Sequence, residues 1–129
     1  MIHLKGFRDL FESEFVDIGY SAIKALPEYD YVYLGDTARV PYGGRSSETV
    51  YQFTREAVDF LFTKNCELII VACNTASAEA VRKIQQEHLK NYDKRKRVLG
   101  VIVPITEYAS VITKNNKVGV IGTEGTVRS

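Results

Sequence analysis

Residues 68–77 read LIIVACNTAS, which places a cysteine where an apolar run gives way to small polar residues. A thiol reacts as its thiolate, and the N-terminus of a helix stabilises that anion. Cys73 lies just ahead of a predicted helix, Thr75–Leu89, whose first N–H groups are free to bind a carboxylate. The side chains of Asn74 and Thr75 can donate hydrogen bonds at the same point. This pattern favours a reactive thiol beside a carboxylate site, although a buried structural cysteine would fit the position equally well.

The second cysteine, Cys66, precedes the same apolar run, so we expect it to pack as a small apolar side chain at the opposite edge of the sheet. The two cysteines do not have zinc-ligand spacing and both histidines lie far from them, so we expect no metal site. A phosphatase-type loop would require arginine where Glu79 stands. A thiol hydrolase would require a histidine base, and neither His3 nor His88 follows a predicted strand.

Two further loops leave predicted strand ends and carry glycines, hydroxyls and charged groups. They read GDTARVPYGG at residues 35–44 and GTEGT at residues 122–126. Ligands of open α/β sheets bind at the carboxyl ends of the strands, so these loops and CNTAS can converge on one small polar ligand. Simpler explanations remain open. Tyr42-Gly43 can be an ordinary turn, GTEGT can cap a helix, and Asp36 and Arg39 can pair or cap within their loop.

Apolar, β-favouring runs alternate with helical patterns along the chain. The predicted strands cover residues 31–34, 68–72, 98–103 and 118–121. Predicted helices run from a Ser46 N-cap to about Asn65, over Thr75–Leu89, and through Tyr108, Ala109 and Ile112. This order predicts an α/β fold, a three-layer α/β/α arrangement around a parallel, doubly wound sheet whose strands are covered on both faces. Residues 8–30 look helical, so at most Met1–Leu4 form a short first strand, and the sheet can lack that strand.

The composition of the 129 residues is that of a soluble globular protein, and we expect one domain over residues 1–129. A net charge of +1 gives no reason to expect nucleic acid or an acidic membrane surface as a partner. The longest apolar run is too short to cross a bilayer, and the N-terminus has charges where a signal peptide needs an apolar core. Free thiols are typical of a reducing compartment. We therefore expect a cytoplasmic protein.

Three stretches of the chain together resemble the N-terminal half of the bacterial glutamate racemases. They read YVYLGDTARVPYGGRS, ELIIVACNTASAEA and VGVIGTEGT, and they occur in the family's order and spacing. The resemblance covers about Pro27 to Ser129. It implies a cofactor-independent isomerase that interconverts L- and D-glutamate and supplies D-glutamate for peptidoglycan, and hence for the cell wall and cell shape. In this family two cysteines face opposite sides of the substrate α-carbon, and one removes the proton while the other returns one.

The resemblance assigns a role to each matching residue. Cys73 matches the first catalytic cysteine, and Asn74 and Thr75 match residues that hold the substrate carboxylate. Tyr42 and Gly43 match the loop that closes over the substrate. Thr123 and Thr126 match the threonines that line the pocket. The chemistry agrees with the residues, because an amino-acid α-proton is a very weak acid that needs a well-placed base and electrostatic stabilisation of the carbanion.

The chain departs from the family pattern in two places. The family's first strand leads into an Asp-Ser-Gly loop, whereas the nearest match here is Phe11–Ser13, with Glu12 in place of the aspartate and no glycine pair. The family's second domain, with the second catalytic cysteine, does not follow within the 129 residues. The sequence therefore looks like half of a racemase, and self-association into a homodimer is expected to cover apolar surface. Alternatives are a glutamate-binding or subunit-binding domain without turnover, or a related racemase acting on aspartate or a hydantoin.

Overall fold

The computed structural model describes residues 2–3 and 17–128, and divides the chain into two units, residues 1–37 and 38–129. The single domain expected over residues 1–129 stays a prediction. The strands are β1 (Ile2–His3), β2 (Val32–Tyr33), β3 (Leu68–Val71) and β4 (Arg97–Gly100). The α-helices are α1 (Asp17–Ala25), α2 (Ser47–Thr63), α3 (Asn74–Glu79), α4 (Val81–Lys83), α5 (Ile102–Ile112) and α6 (Glu124–Arg128).

The first unit pairs β1 with β2 in an antiparallel ladder in which Ile2 lies opposite Tyr33. Helix α1 confirms the helical pattern seen in this part of the sequence, as far as residues 17–25 are concerned. The phenol of Tyr31 donates to the carbonyls of Ala22 and Leu26, at 3.1 and 2.7 Å, and so joins the end of this helix to the start of β2. The remainder of the expected helix and the Phe11–Ser13 match lie outside the described residues.

The second unit is built on a parallel pair of strands, in which Ile69 of β3 lies beside Val98 of β4. The chain crosses from β3 to β4 through α3, α4, a π-helical turn at Ile84–His88 and a 3₁₀ turn at Leu89–Asn91. A strand–helix–strand crossover between parallel neighbours is the unit of α/β folds, so the predicted fold class is confirmed. The core between the sheet and the helices consists of Val50, Val58, Phe62, Ile69, Ala76, Ala80, Val81, Ile84 and Val98.

Helix α2 follows the sequence prediction closely. Ser46 is its N-cap, and the Ser46 hydroxyl accepts the N–H of Thr49 at 3.3 Å. Such a bond satisfies one of the donors that every helix leaves free at its start. The helix ends at Thr63, and Asn65 then adopts a left-handed backbone conformation with φ of 63°. Asparagine tolerates that conformation better than most residues, which explains the stop within two residues of the predicted end.

Four details of the predicted sheet are wrong. The strand predicted at 31–34 is β2, and it pairs antiparallel with β1 instead of joining the parallel pair. The strand predicted at 98–103 ends at Gly100, because the chain enters α5 at Ile102 and Pro104 lies in the first turn, where its missing N–H costs nothing. Residues 118–121 form no strand, and the Ile121 side chain is fully exposed. The second face of the sheet is half-exposed at Ile70 and Leu99, so the described residues cover the sheet on one face. None of the described helices is long and apolar enough to span a membrane.

Candidate active site

Cys73 lies at the junction between β3 and α3, as the sequence predicts. Its backbone is extended, with φ of −73° and ψ of 123°, and it is the N-cap residue of the helix that begins at Asn74. The Cys73 side chain is exposed and makes no capping hydrogen bond. The helix is interrupted at Ala80, and helical turns then continue from Val81 to Asn91. The thiol is therefore open to solvent at a point where helix N–H groups are free.

Three threonine hydroxyls form a chain beside this junction. Thr75 is 5% exposed, and its Oγ1 lies 3.1 Å from Oγ1 of Thr123. Oγ1 of Thr123 lies 3.0 Å from Oγ1 of Thr126 and accepts the Thr126 N–H at 3.4 Å. Each hydroxyl can donate or accept, so a bound anion can recruit the chain as donors without moving the backbone. The first turn of α3 and the GTEGT loop are thus joined at one place, as the sequence predicts.

The loop before α2 reaches the same threonines. A Cβ atom added to Gly43 would lie 2.6 Å from Cγ2 of Thr123, so the backbone at Gly43 packs directly against the Thr123 side chain. The neighbouring Tyr42 packs on Phe53, with ring centroids 5.9 Å apart. Arg39 also packs on Phe53, 4.5 Å from the ring centroid, and forms an ion pair with Glu56 at 2.7 Å.

The structure therefore brings together most of the residues predicted for the site. Contacts join the glycine loop to the threonine chain, and the chain position of Thr75 places Cys73 and Asn74 directly beside it. Asn74 is exposed, like Cys73. The roles assigned to these residues stay predictions, because their positions alone do not identify a ligand.

Sequence analysis missed Ser77, which is buried directly behind the Cys73 junction. The Ser77 hydroxyl donates to the Val71 carbonyl at 2.7 Å and accepts the Val101 N–H at 3.2 Å. The Ser77 N–H donates to the Cys73 carbonyl at 2.9 Å. A serine four residues after a cysteine in a short small-residue helix is the signal that was present in the sequence, since position i+4 returns to the same helix face.

Sequence analysis also missed Glu79, at the end of α3. One of its carboxylate oxygens, Oε2, is buried and has no hydrogen-bond partner among the described residues. The carboxylate packs against Gly125 of α6, where any added Cβ atom would collide with it. Glu79 and Gly125 therefore let α3 and α6 approach closely, which supports the contact between Thr75 and Thr123.

The second cysteine lies at the other end of β3, as expected. Cys66 is half-buried and packs against the core. Burial raises the pKa of the Cys66 thiol, and the nearby Lys96 ammonium offsets part of that rise. The Lys96 ammonium also donates to the Cys66 carbonyl at 2.6 Å. Strand β3 separates the two cysteines, so Cys66 is not placed to act with Cys73 on one ligand.

A separate group of titratable side chains lies between α2 and the turns that follow α4. The Asp59 carboxylate accepts the Tyr92 hydroxyl at 2.7 Å and lies 2.5 Å from Nε2 of His88. The bond to Asp59 and partial burial raise the pKa of Tyr92 to about 12. His88 is thus engaged away from Cys73. No three side chains suited to metal binding come together within residues 2–3 and 17–128.

No family model matches the chain. Glutamate racemase from Geobacter metallireducens is 50% identical over 107 residues, which cover 83% of this chain and 37% of that protein. The solved glutamate racemase of Aquifex pyrophilus matches 89% of this chain and 43% of its own with a TM-score of 0.80 at 40% identity. The Francisella tularensis glutamate racemase, solved in complex with D-glutamate, matches 88% of this chain and 40% of its own with a TM-score of 0.69 at 34% identity.

The sequence comparison and the structural comparisons all match this chain to glutamate racemases. The chain spans less than half the length of each of these relatives. Identities of 34–50% over more than four fifths of the chain, together with a shared fold, establish common descent. The chain is a homologue of the glutamate racemases and corresponds to a part of their length.

Proposed function

We propose that this chain carries the proton-abstracting half of a cofactor-independent glutamate racemase site. The observation that carries the proposal is the exposed Cys73 thiol at the start of α3, beside the hydroxyl chain of Thr75, Thr123 and Thr126. The homologous Francisella enzyme was solved with D-glutamate, so a small amino acid is the ligand class that we assign to this chain. The product, D-glutamate, would serve peptidoglycan and cell wall synthesis in the cytoplasm.

The proposed reaction at this site is a proton transfer. The Cys73 thiolate takes the α-proton of glutamate, and the electron pair of the broken C–H bond moves into the α-carboxylate system. The free N–H groups at the start of α3, with Asn74 and Thr75, bind that carboxylate and stabilise the developing charge. Tyr42 and Gly43 cover the ligand, while Thr123 and Thr126 line its far side.

Inversion requires a second acid on the opposite face of the α-carbon. The chain has one other cysteine, Cys66, and β3 separates it from Cys73. We therefore propose that the 129 residues alone exchange the α-proton slowly and racemise glutamate far more slowly than a complete enzyme. Loss of one positioned acid or base commonly lowers a rate by a factor of about 10²–10⁴.

Helix α5 supports the proposal that two copies associate. Its exposed side chains are mostly apolar and include Val103, Ile105, Tyr108, Val111 and Ile112. Water contact with this many large apolar side chains on one short helix is unfavourable, and a second copy of the same helix can cover them symmetrically. Sedimentation equilibrium measures the association, and Val111→Glu, on the most exposed of these residues, should shift the protein to the monomer.

The function is tested by circular dichroism of L-glutamate incubated with the purified chain. We expect glutamate binding, detected by calorimetry, with slow loss of optical activity that disappears in Cys73→Ala. Binding with no exchange or racemisation at all would instead favour a domain that binds glutamate without turnover. Preference for aspartate or a hydantoin over glutamate would assign the chain to a related racemase.

A further inference from the structure

The segment that leads into β4, residues 90–97, concentrates positive charge. It reads KNYDKRKR, with five cations and one anion, and so has a net charge of +4. The whole chain has a net charge of +1, so the other residues together carry −3. The start of β4 lies beside the start of β3, whereas Cys73 follows the end of β3. The basic segment therefore lies at the other end of the parallel pair from the candidate active site.

Most of these cations have no carboxylate partner. Arg95 forms ion pairs with Asp93 and with Glu67, each at 3.3 Å. The other four cations form no ion pair within the part of the chain that the structure describes, and they are Lys90, Lys94, Lys96 and Arg97. Positive charge without a counter-charge attracts anions over about 8 Å at physiological ionic strength.

The four unpaired cations line one open cleft together with apolar side chains. The cleft has a volume of about 570 Å³, which is within the range typical of ligand sites. Leu99 lines it and is 48% exposed, and Leu89 is half-buried in the same lining. Covering an exposed leucine with another apolar side chain removes it from water and is favourable. The cleft thus offers a ligand both cationic and apolar contacts.

Hydrogen bonds fix the lining of the cleft. The Gln85 amide donates to the Val98 carbonyl at 2.7 Å and so satisfies a backbone acceptor on β4. The Arg97 guanidinium donates to two backbone carbonyls of the turn before β4. The Tyr92 hydroxyl is bonded to Asp59 of α2. Because these groups are already ordered, a ligand that binds here loses less conformational entropy in ordering them.

The nature of the lining favours an acidic peptide over a nucleic acid. Tyr92, the aromatic side chain of the lining, already packs against Phe62 and His88, with ring centroids 4.7 and 5.5 Å apart. Single-stranded nucleic acids gain much of their affinity by stacking bases on aromatic rings. The net charge of −3 outside the basic segment also repels a long polyanion.

We propose that this cleft docks a short acidic segment of a partner protein, in which one large apolar side chain stands between acidic ones. The acidic side chains pair with Lys90, Lys94 and Arg97, and the apolar side chain covers Leu99. Exposed ion pairs are weak one by one, so the selectivity comes from several pairs acting together with the apolar contact. The docking is independent of the proposed racemase function, because no residue of the candidate active site lines the cleft.

The experiment is fluorescence anisotropy of the full chain with a labelled pentapeptide of four glutamates around one phenylalanine. We expect saturable binding at low salt that weakens as salt is added, because salt screens exposed charges. A peptide with alanine in place of phenylalanine should bind about three- to tenfold more weakly, which corresponds to half-burial of a phenylalanine side chain.

Two double variants separate the cleft from overall charge. Lys90→Ala with Lys94→Ala should weaken binding about two- to 25-fold, since each exposed ion pair contributes a factor of about 1.5 to 5. Lys114→Ala with Lys117→Ala is the matched control, because it removes the same charge from exposed lysines that do not line the cleft. Leu99→Thr keeps a β-favouring side chain and should remove most of the preference for the phenylalanine peptide.

Three results would overturn the proposal. Equal weakening in the two double variants would show attraction by overall charge alone. An unchanged preference for phenylalanine in Leu99→Thr would place the apolar contact outside the cleft. Absence of saturable peptide binding, or tighter binding of an oligothymidylate of the same charge, would exclude an acidic peptide as the ligand, and the second of these would assign the cleft to nucleic acid.

Discussion

Gly43→Ala probes the contact between the glycine loop and the threonine chain. The added Cβ atom would lie 2.6 Å from Cγ2 and 3.3 Å from Cβ of Thr123. Favourable carbon contacts begin near 3.5 Å, so the Thr123 methyl group or one of the two segments must move by about 1 Å. Overpacking of this kind costs about 1–3 kcal/mol in free energy of unfolding. At about 4 °C per kcal/mol for a chain of this size, the unfolding midpoint should fall by about 4–12 °C.

Gly44→Ala is the control for this change. A Cβ atom added to Gly44 meets nothing within 4 Å, and its backbone is not in the left-handed region. Both substitutions restrict the unfolded chain equally, so their difference isolates the clash with Thr123. Urea unfolding followed by circular dichroism measures both free energies under the same conditions.

Thr123→Ser provides the rescue. It removes the Cγ2 atom that the methyl group added at position 43 would strike, and it keeps the hydroxyl that contacts Thr75. We expect the double variant to recover most of the stability lost in Gly43→Ala, which is non-additivity typical of residues in direct contact. Equal stability of Gly43→Ala and Gly44→Ala, or no recovery with Thr123→Ser, would refute the packing described here.

Two further predictions concern the titrating groups. The pKa of Tyr92 rises from 10.0 to about 12 on folding, so its contribution to the free energy of unfolding is complete below pH 10 and is lost as pH rises towards 12. Urea unfolding at graded pH should show a smaller loss over that range in Tyr92→Phe, and equal losses would contradict the assignment. Cys73, which is exposed, should react with a thiol reagent before Cys66, whose pKa burial raises. Faster labelling of Cys66 near neutral pH would show that the reactive thiol has been misassigned.

Local signals in the sequence predicted the helices and strands whose stabilising contacts lie close together in the chain. Ser46 and the helical spacing after it predicted α2 to within about two residues, since capping and periodicity act over a few positions. The run LIIV predicted β3, and the change to small polar residues predicted the position of Cys73. The three loops predicted to converge do meet at Thr123, although among the described residues only CNTAS leaves a strand of the parallel pair.

The features that the sequence did not predict depend on partners distant in the chain. Residues 118–121 have a strand-like pattern, but a strand forms only where a neighbouring strand accepts its backbone hydrogen bonds. Ser77 bridges Val71 and Val101, and Asp59 meets Tyr92 from 33 positions away. Neither contact follows from composition or periodicity, since each is set by how the helical crossover packs on the sheet.

The central claim, that Cys73 is a base acting on bound glutamate, is tested most directly by hydrogen exchange at the α-carbon. L-glutamate is incubated in D₂O with the wild-type chain and with Cys73→Ala, and the α-proton signal is followed by NMR. We expect the signal to decay slowly with the wild type, faster than optical activity is lost, because a deuteron returned to the same face leaves the configuration unchanged. The Cys73→Ala chain should give no decay above the protein-free rate. Equal decay with both chains, or no decay with either, would contradict the account.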